Sequence, residues 1–241
     1  MIRLGAVTST MDIAARLLEL GTPEGTAIVA QSQMAGRGRG GRTWQSPPGV
    51  GLYCSLVFRP LIAPDRFQPF SVMVGLALCE VLDPLEDAGI HLKWPNDLVI
   101  GERKLAGILV TASIQNATVE RAVAGLGINL RCDPSGLSSA VSLEEMGRLP
   151  EIDDATLVAE IAEAVARRYD QLLGGNGDMA LAGWEHRLAD LGEQVIVRDG
   201  ERQREGRLVG IEPSGAMLLD TSEGVLSIHM GELTRGPVKR T

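Results

Sequence analysis

The sequence is poor in aromatic residues and in cysteine, and each shortage argues against a class of protein. Aromatic residues make up only 3% of the 241 residues, which disfavours binding of single-stranded nucleic acid by base stacking. The three cysteines, Cys54, Cys79 and Cys132, are widely spaced, so the sequence contains neither a disulfide framework nor a paired-cysteine metal site. We therefore expect buried free thiols in a reducing compartment.

Long apolar runs and net positive charge are also missing. The N-terminus has no basic segment followed by an apolar run, and the most apolar stretch, residues 70–82, contains Glu80 and is too short to span a bilayer. The formal charge of −8 argues against broad attraction to nucleic acid. We therefore predict a cytoplasmic protein with no membrane insertion.

The most unusual stretch that is present is the Gly/Arg loop, residues 36–42, which consists of four glycines and three arginines. Glycine lets a backbone approach a ligand closely, and arginine supplies forked, permanently charged donors. In isolation such a stretch is equally typical of a disordered tract that binds RNA. Strand-like sequences on both sides, at 26–30 and 51–58, favour a folded loop that binds an anion.

Hydrophobic patterns predict a main domain, residues 1–188, and a small C-terminal domain, residues 189–241. In the main domain we expect strands at 2–7, 26–30, 51–58, 91–100, 105–111 and 119–130, and helices at 12–20, 69–82, 154–173 and 179–191. In the small domain, short strands with glycine-containing turns predict an SH3-like barrel, with strands at 194–198, 206–211, 216–220 and 225–229.

Two nucleotide-binding motifs and a metal site are rejected. The pair Gly125 and Gly127 suggests a dinucleotide-binding turn, but Leu130 replaces the third glycine and no helix pattern follows. The chain also lacks a Walker loop. Its three histidines have no metal-ligand spacing, so no residue is assigned as a metal ligand.

The stretch around Pro95 predicts an irregular sheet edge. Proline cannot donate to a central strand ladder, so the strand must bulge or begin beyond it. Lys93, Asn96 and Asp97 would then lie at that edge, a place where sheets often carry functional residues. The turn that follows places Lys104 at the start of the next strand.

Three motifs in this order resemble those of biotin protein ligases. They are Ser9-Thr10 before a helix, the Gly/Arg loop with Gln33 ahead of it and Trp44 behind it, and Lys93-Trp-Pro-Asn-Asp97 followed by Lys104-Leu-Ala-Gly-Ile108. The resemblance continues through Gly125-Leu-Gly-Ile-Asn129 and the C-terminal strands, so it covers nearly the whole chain. It implies an α+β fold: a mixed β-sheet covered by helices, related to class II aminoacyl-tRNA synthetases, with an SH3-like C-terminal domain.

The resemblance implies an ATP-dependent ligase that works in two steps. Biotin attacks the α-phosphate of ATP, giving biotinyl-5′-adenylate and pyrophosphate, and a lysine of a biotin carboxyl carrier protein then attacks the acyl carbon. Mg²⁺ accompanies the ATP. Two alternatives stay open: a lipoate or octanoate ligase on the same fold, and an RNA-binding protein that uses the Gly/Arg loop. The polar set Ser9, Thr10 and Gln33 suits the biotin ureido group and favours biotin.

The resemblance also implies which residues form the site. A carboxylate that approaches a polyphosphate needs fixed cations, and we assign the main electrostatic roles to Arg37 and Lys104, supported by Arg39. Asp97 either assists the incoming lysine, positions magnesium or caps a turn. The remaining expected contacts to biotin or the adenylate are Ser9, Thr10, Gln33, Gly36, Gly38, Trp44, Gly107 and Asn129.

Two features depart from the family pattern. Met11 stands directly after Ser9-Thr10, where the family usually has Asn, so any contact by that side chain is lost. The motifs also begin almost at residue 1, which leaves no room for the helix-turn-helix domain of some members, so we predict no operator DNA binding. The sequence leaves open the oligomeric state, a homodimer included, and whether residues 131–140 become ordered on ligand binding.

Overall fold

A computed structural model of the chain describes residues 1–84, 86–131, 139–149 and 152–236. It contains a seven-stranded sheet covered by helices and a separate five-stranded sheet. None of the helices in these ranges combines the length and the apolar character needed to cross a membrane.

The larger sheet is mixed, as predicted. Its strands are β1 (Ile2–Val7), β2 (Ala27–Gln33), β3 (Gly51–Phe58), β4 (Ile90–Lys93), β5 (Asp97–Ile100), β6 (Arg103–Gln115) and β7 (Thr118–Asn129). Their order is β1-β2-β3-β7-β6-β5-β4, with β1 parallel to β2 and the other neighbours antiparallel. The single strand expected at 91–100 is two strands, because Pro95 lies in the turn between β4, which forms the edge of the sheet, and its neighbour β5.

The helices agree with the prediction except for a short helix at residues 64–67, which was not expected, and for the region after residue 177. They are α1 (Thr10–Glu19), α2 (Pro64–Phe67), α3 (Phe70–Leu82), α4 (Asp154–Leu173), α5 (Gly177–Ala180) and α6 (Trp184–Arg187). The Asp153 carboxylate caps α4 by accepting from the Thr156 N–H at 2.8 Å. The single helix expected at 179–191 is wrong. Gly183, with a φ of 85°, takes a left-handed conformation that separates two short helices.

The larger sheet has two unlike faces, because successive side chains of a strand point to opposite sides. One face, called the core face here, packs against α3 and α4 and contains Leu56, Leu126 and Ile128. The other, the loop face, is covered by α1 and the Gly/Arg loop and has a much smaller apolar cluster. That cluster consists of Met11, Ala14, Leu18, Ile28, Val57 and Val123.

The smaller sheet is open and antiparallel, and SH3-like is a fair description of it. Its strands are β8 (Gln194–Asp199), β9 (Arg202–Ile211), β10 (Met217–Thr221), β11 (Gly224–Ile228) and β12 (Glu232–Arg235), in the order β11-β10-β9-β8-β12. The sheet does not close into a barrel, and β12 was not expected. The buried indole N–H of Trp94 donates to the Gly215 carbonyl at 3.0 Å, which joins the β4–β5 turn to this sheet.

Candidate active site

The Gly/Arg loop is folded back on itself between β2 and β3. Arg37 and Thr43 form an isolated antiparallel bridge, and the Trp44 N–H donates to the Gly36 carbonyl at 2.9 Å. A Cβ on Gly36 would lie 2.3 Å from the Trp44 carbonyl oxygen, so the two arms approach more closely than any other residue permits. The stretch is therefore a folded loop and not a free tract.

The loop covers a small cavity on the loop face, called the inner cavity here. Its volume is about 40 Å³, room for only about three water molecules, since one water needs about 10–15 Å³ of such space. It is lined by Ser9, Thr10, Met11, Gln33, Arg37, Gly38, Arg39, Trp44, Asn96, Lys104, Gly107, Ile108, Leu109, Gly125, Leu126 and Gly127. A ring-sized ligand would therefore have to displace a side chain that now occupies this space.

Glycines form the floor of the inner cavity beneath Trp44. Gly107 on β6 and Gly127 on β7 are register partners, and the indole lies over both. A Cβ on Gly127 would be 2.4 Å from the indole Nε1, and one on Gly107 would be 3.0 Å from Cζ3. These positions therefore leave room for a flat ring against the sheet. Gly107 was predicted to allow close approach, whereas Gly127 was not assigned a role in the site.

Polar groups form one end of the inner cavity. The Thr10 N–H and hydroxyl donate to Gln33 Oε1 at 2.8 and 3.1 Å, and the Ser55 hydroxyl donates to Thr10 Oγ1 at 2.8 Å. Ser9 Oγ and Trp44 Nε1 are buried and have no hydrogen-bond partner among the described residues. A buried polar group without a partner costs about 1–3 kcal/mol, so a ligand that bonds to these atoms would recover that free energy.

The predicted cations lie near this cavity, and each contacts a group of the protein itself. Arg37 forms an ion pair with Asp12 at 2.6 Å, and Lys104 forms one with Asp97 at 2.8 Å. Lys104 Nζ also lies 5.2 Å from the centroid of the Trp44 ring, within range of a cation–π interaction. An anionic ligand would therefore compete with Asp12 and Asp97 for these side chains.

The C-terminal sheet reaches the remaining arginines of the loop. Arg39 donates to the Gly231 carbonyl at 2.9 Å, and Arg42 forms an ion pair with Glu232. Burial, followed by the charge of Arg42, lowers the pKa of Arg39, although an arginine stays protonated at neutral pH. No sequence signal pointed to Gly231 or Glu232, because about 190 residues separate them from the loop.

A second, outer cavity of about 620 Å³ adjoins the inner one. It lies between the loop, the β4–β5 turn and the residues around 231–234 of the C-terminal sheet. The two cavities share Gly38, Arg39, Trp44, Asn96 and Lys104. Ligands that occupy the two cavities would therefore meet beside the Arg39 guanidinium and the Lys104 ammonium group.

Three predicted site residues lie away from the inner cavity. Asp97 and Asn129 line the outer cavity. The Asn129 amide donates to the carbonyls of Lys104 and Val141 at 3.2 and 3.3 Å. Gly36 lines neither of these cavities but sits on the far side of the loop.

The surroundings of Asp97 argue against a turn cap. Its carboxylate contacts the side chains of Lys104 and Asn96, and no backbone N–H in the described ranges bonds to it, as a cap would require. Residues 132–138, which include most of the loop at 131–140, lie outside the described residues. In the ranges that are described, no group of three or more His, Cys, Asp or Glu side chains could hold a metal.

The two cysteines in the described ranges take no part in this site. Cys54 and Cys79 are free and buried, as expected, and burial raises the pKa of each thiol to about 12. Both thiols are therefore protonated at neutral pH and unreactive as nucleophiles. Cys132 lies outside the described residues.

Comparison with known proteins gives two family matches and close overall similarity to solved structures. Residues 4–129 match the Biotin/lipoate A/B protein ligase family, and residues 190–233 match the Biotin protein ligase C terminal domain. The chain is 32% identical to the biotin--[acetyl-CoA-carboxylase] ligase of Paracoccus denitrificans, over 96% of this chain and 99% of that protein. It is 31% identical to the bifunctional ligase/repressor BirA of Bacillus subtilis (strain 168), over 95% of this chain and 72% of that protein.

Among solved structures, the chain is similar to the biotin protein ligase of Aquifex aeolicus in complex with biotin and ATP. The TM-score is 0.78 at 29% sequence identity, and the match covers 98% of each chain. Both sheets and both cavities therefore lie within the part of the chain that is similar to that protein.

Proposed function

The chain belongs to the Biotin/lipoate A/B protein ligase family, and we propose that it is an ATP-dependent biotin protein ligase. It activates biotin as biotinyl-5′-adenylate and transfers the biotinyl group to a lysine of a carrier protein. The observation that carries this proposal is the pair of adjoining cavities that share Arg39 and Lys104. The inner cavity receives the biotin ring, and the outer cavity receives the nucleotide.

The inner cavity suits the ureido ring of biotin. The ureido group is neutral and offers one carbonyl and two N–H groups, which match the Ser9 hydroxyl, the Thr10 hydroxyl and the Gln33 amide. Ser9 Oγ has no other partner among the described residues. Because the cavity measures only about 40 Å³, the Trp44 indole moves from its place over Gly127 when the ring binds.

Adenylate formation takes place at the wall shared by the cavities. A carboxylate oxygen of biotin forms a bond to the α-phosphorus of ATP, and the bond to the pyrophosphate oxygen breaks. Lys104 and Arg39 lie on this wall, and Arg37 lies beside it. As charge builds on the phosphoryl oxygens, the Lys104 ammonium group leaves its ion pair with Asp97 and contacts the phosphate. Donors aimed at developing charge in this way are worth roughly 10²–10³ in rate.

In the second step, an amine of the carrier lysine attacks the acyl carbon and AMP leaves. Asp97 loses its ion pair when Lys104 turns to the phosphate, so its carboxylate is free to orient the amine and accept a proton. Bound Mg²⁺ would neutralise polyphosphate charge. Such ions are usually held by substrate phosphates with one or two carboxylates, and Asp97 and Glu102 are carboxylates of the outer cavity that suit this role.

We propose further that the partner is the biotin carboxyl carrier protein of a carboxylase and that the reaction occurs in the cytoplasm. Residues 1–188 would form the catalytic domain, with the inner cavity and most of the outer one, and residues 189–241 would complete the outer cavity through residues 231–234. The lipoate ligase alternative is not favoured, because the relatives and solved structures that resemble this chain are named for biotin. No contact within the described ranges favours the RNA-binding alternative.

The test is the exchange of labelled pyrophosphate into ATP by the purified chain in the presence of magnesium. We expect exchange with biotin and little exchange with lipoate, with octanoate or without an added acid. Equal exchange with lipoate would contradict the biotin assignment. Absence of exchange with every acid would contradict the assignment as a ligase.

A further inference from the structure

Two large apolar side chains lie on two glycines of the same strand face. On β7, Trp44 covers Gly127 and Met11 covers Gly125, two residues away and therefore on the same side of the sheet. A Cβ on Gly125 would lie 2.6 Å from the Met11 sulfur and 2.7 Å from its Cγ. Met11 therefore occupies the space that any larger residue at position 125 would need.

The two side chains are held differently. Trp44 belongs to the Gly/Arg loop, and its indole N–H is unpartnered among the described residues. Met11 lies in the first turn of α1, is 5% exposed and belongs to the apolar cluster of the loop face with Ala14, Leu18 and Val123. When a ring displaces Trp44, Met11 therefore stays in place and limits the inner cavity.

The surroundings of Met11 determine which part of a ligand it meets. The hydroxyl and amide groups of the cavity belong to Ser9, Thr10 and Gln33, whereas Met11 neighbours Gly125 and the partly buried Leu109. A bicyclic ligand whose ureido group faces the hydroxyls would turn its thioether ring towards Met11. The side chains of Met11 and Leu109 offer no hydroxyl or amide to an oxygen added to the ring sulfur, and Met11 already fills the space directly above Gly125.

We propose that Met11, held against Gly125, is a specificity-determining residue that limits the size of the acid at the sulfur edge of its ring. This inference rests on the proposed function as a biotin ligase. The Met11 side chain rejects acids enlarged at that edge, and shortening the side chain admits them. The glycine at position 125 is required because it lets the thioether lie close to β7.

The experiment measures kcat/KM for pyrophosphate exchange with biotin, with biotin sulfone and with biotin methylated on a ureido nitrogen. We expect Met11→Ala to raise the ratio of sulfone to biotin roughly tenfold or more, since one or two atoms in an apolar pocket are worth about 10–200-fold. The ratio of kcat/KM for the N-methylated acid to that for biotin should stay unchanged. Met179→Ala, at an exposed methionine of α5, is the matched control and should alter neither ratio.

Two further variants separate a change of specificity from a loss of folding. Met11→Leu nearly conserves volume, so we expect its ratio of sulfone to biotin to change much less than that of Met11→Ala. Gly125→Ala should lower kcat/KM for biotin, and the double variant Met11→Ala/Gly125→Ala should recover part of it, because the added methyl group occupies the space that Met11 leaves.

Three results would overturn the proposal. The first is that the ratio of kcat/KM for the sulfone to that for biotin does not change in Met11→Ala, although the unaltered chain shows biotin-dependent exchange. This result would contradict the role of Met11 but not the ligase function. The second is a gain for the N-methylated acid instead of the sulfone. The third is the absence of biotin-dependent exchange in the unaltered chain, which would overturn the ligase function as well.

Discussion

The two faces of the larger sheet differ in what their strands present. The core face carries large apolar side chains, such as Leu56 and Ile128, which pack against helices. The loop face carries glycines at positions 107, 125 and 127, and the side chains of Met11 and Trp44 lie directly on the backbone there. The comparison indicates that stability comes mainly from one face and that the space for chemistry comes from glycines on the other.

A substitution behind the core face should have the largest effect on stability and little effect on chemistry. Arg187 pairs with Asp83 at 3.0 Å just after α3, and their side chains are 9% and 1% exposed. Arg187→Ala leaves a buried carboxylate without its cation, so we expect the free energy of unfolding to fall by about 3–5 kcal/mol. Urea denaturation would measure this loss, and the protein that remains folded should still catalyse biotin-dependent exchange.

The same pair predicts a dependence on pH. Burial alone would raise the pKa of Asp83, but the N–H groups of Ala88 and Ile90 and the Arg187 guanidinium outweigh it, so the pKa is lowered. This stabilisation is complete above the unfolded pKa of about 3.9 and is lost as the pH falls through the lower folded value. The difference between wild type and Arg187→Ala should therefore shrink below about pH 4. A difference that grew in acid would contradict this account.

On the loop face, we expect the opposite result. Lys104 is partly exposed and contacts Asp97 and Trp44, so its removal leaves no buried group unpaired. Lys104→Ala should reduce biotin-dependent exchange by roughly 10²–10³ and change the free energy of unfolding by less than about 1 kcal/mol. Stopped-flow measurement of adenylate formation would show the loss of rate, and a urea denaturation curve would show the small change in the free energy of unfolding. A large loss of stability with normal exchange would reverse the roles of the two faces.

The sequence correctly predicted those helices and strands whose apolar pattern and end signals lie within the segment itself. The pattern at 51–58 and the helix at 154–173 have the expected bounds, because apolar spacing and a capping Asp153 define them within the segment. The helix expected after residue 177 is wrong because the left-handed Gly183 was not recognised as a break. Strand β12 was missed because it depends on pairing with the distant β8.

For the site, the sequence identified which residues take part better than it identified the residues that they contact. The motifs placed Ser9, Gln33 and Lys104 together in one site, and all three line the inner cavity. The counter-ion Asp12 and the contact from Glu232 were not predicted, since ion pairs between distant segments leave no periodic signal. Gly127 could have been found, because an unexplained glycine inside a strand often marks a close approach of another group.

The central claim is that glycines on the loop face create the space for the reaction, and Gly127→Ala tests it most directly. Gly5→Ala on β1 is the matched control, since a Cβ there would meet no atom within 4 Å, whereas one on Gly127 would lie 2.4 Å from the indole. We predict that Gly127→Ala lowers biotin-dependent pyrophosphate exchange roughly 10–200-fold while Gly5→Ala exchanges at the wild-type rate. Wild-type exchange by Gly127→Ala would contradict the account.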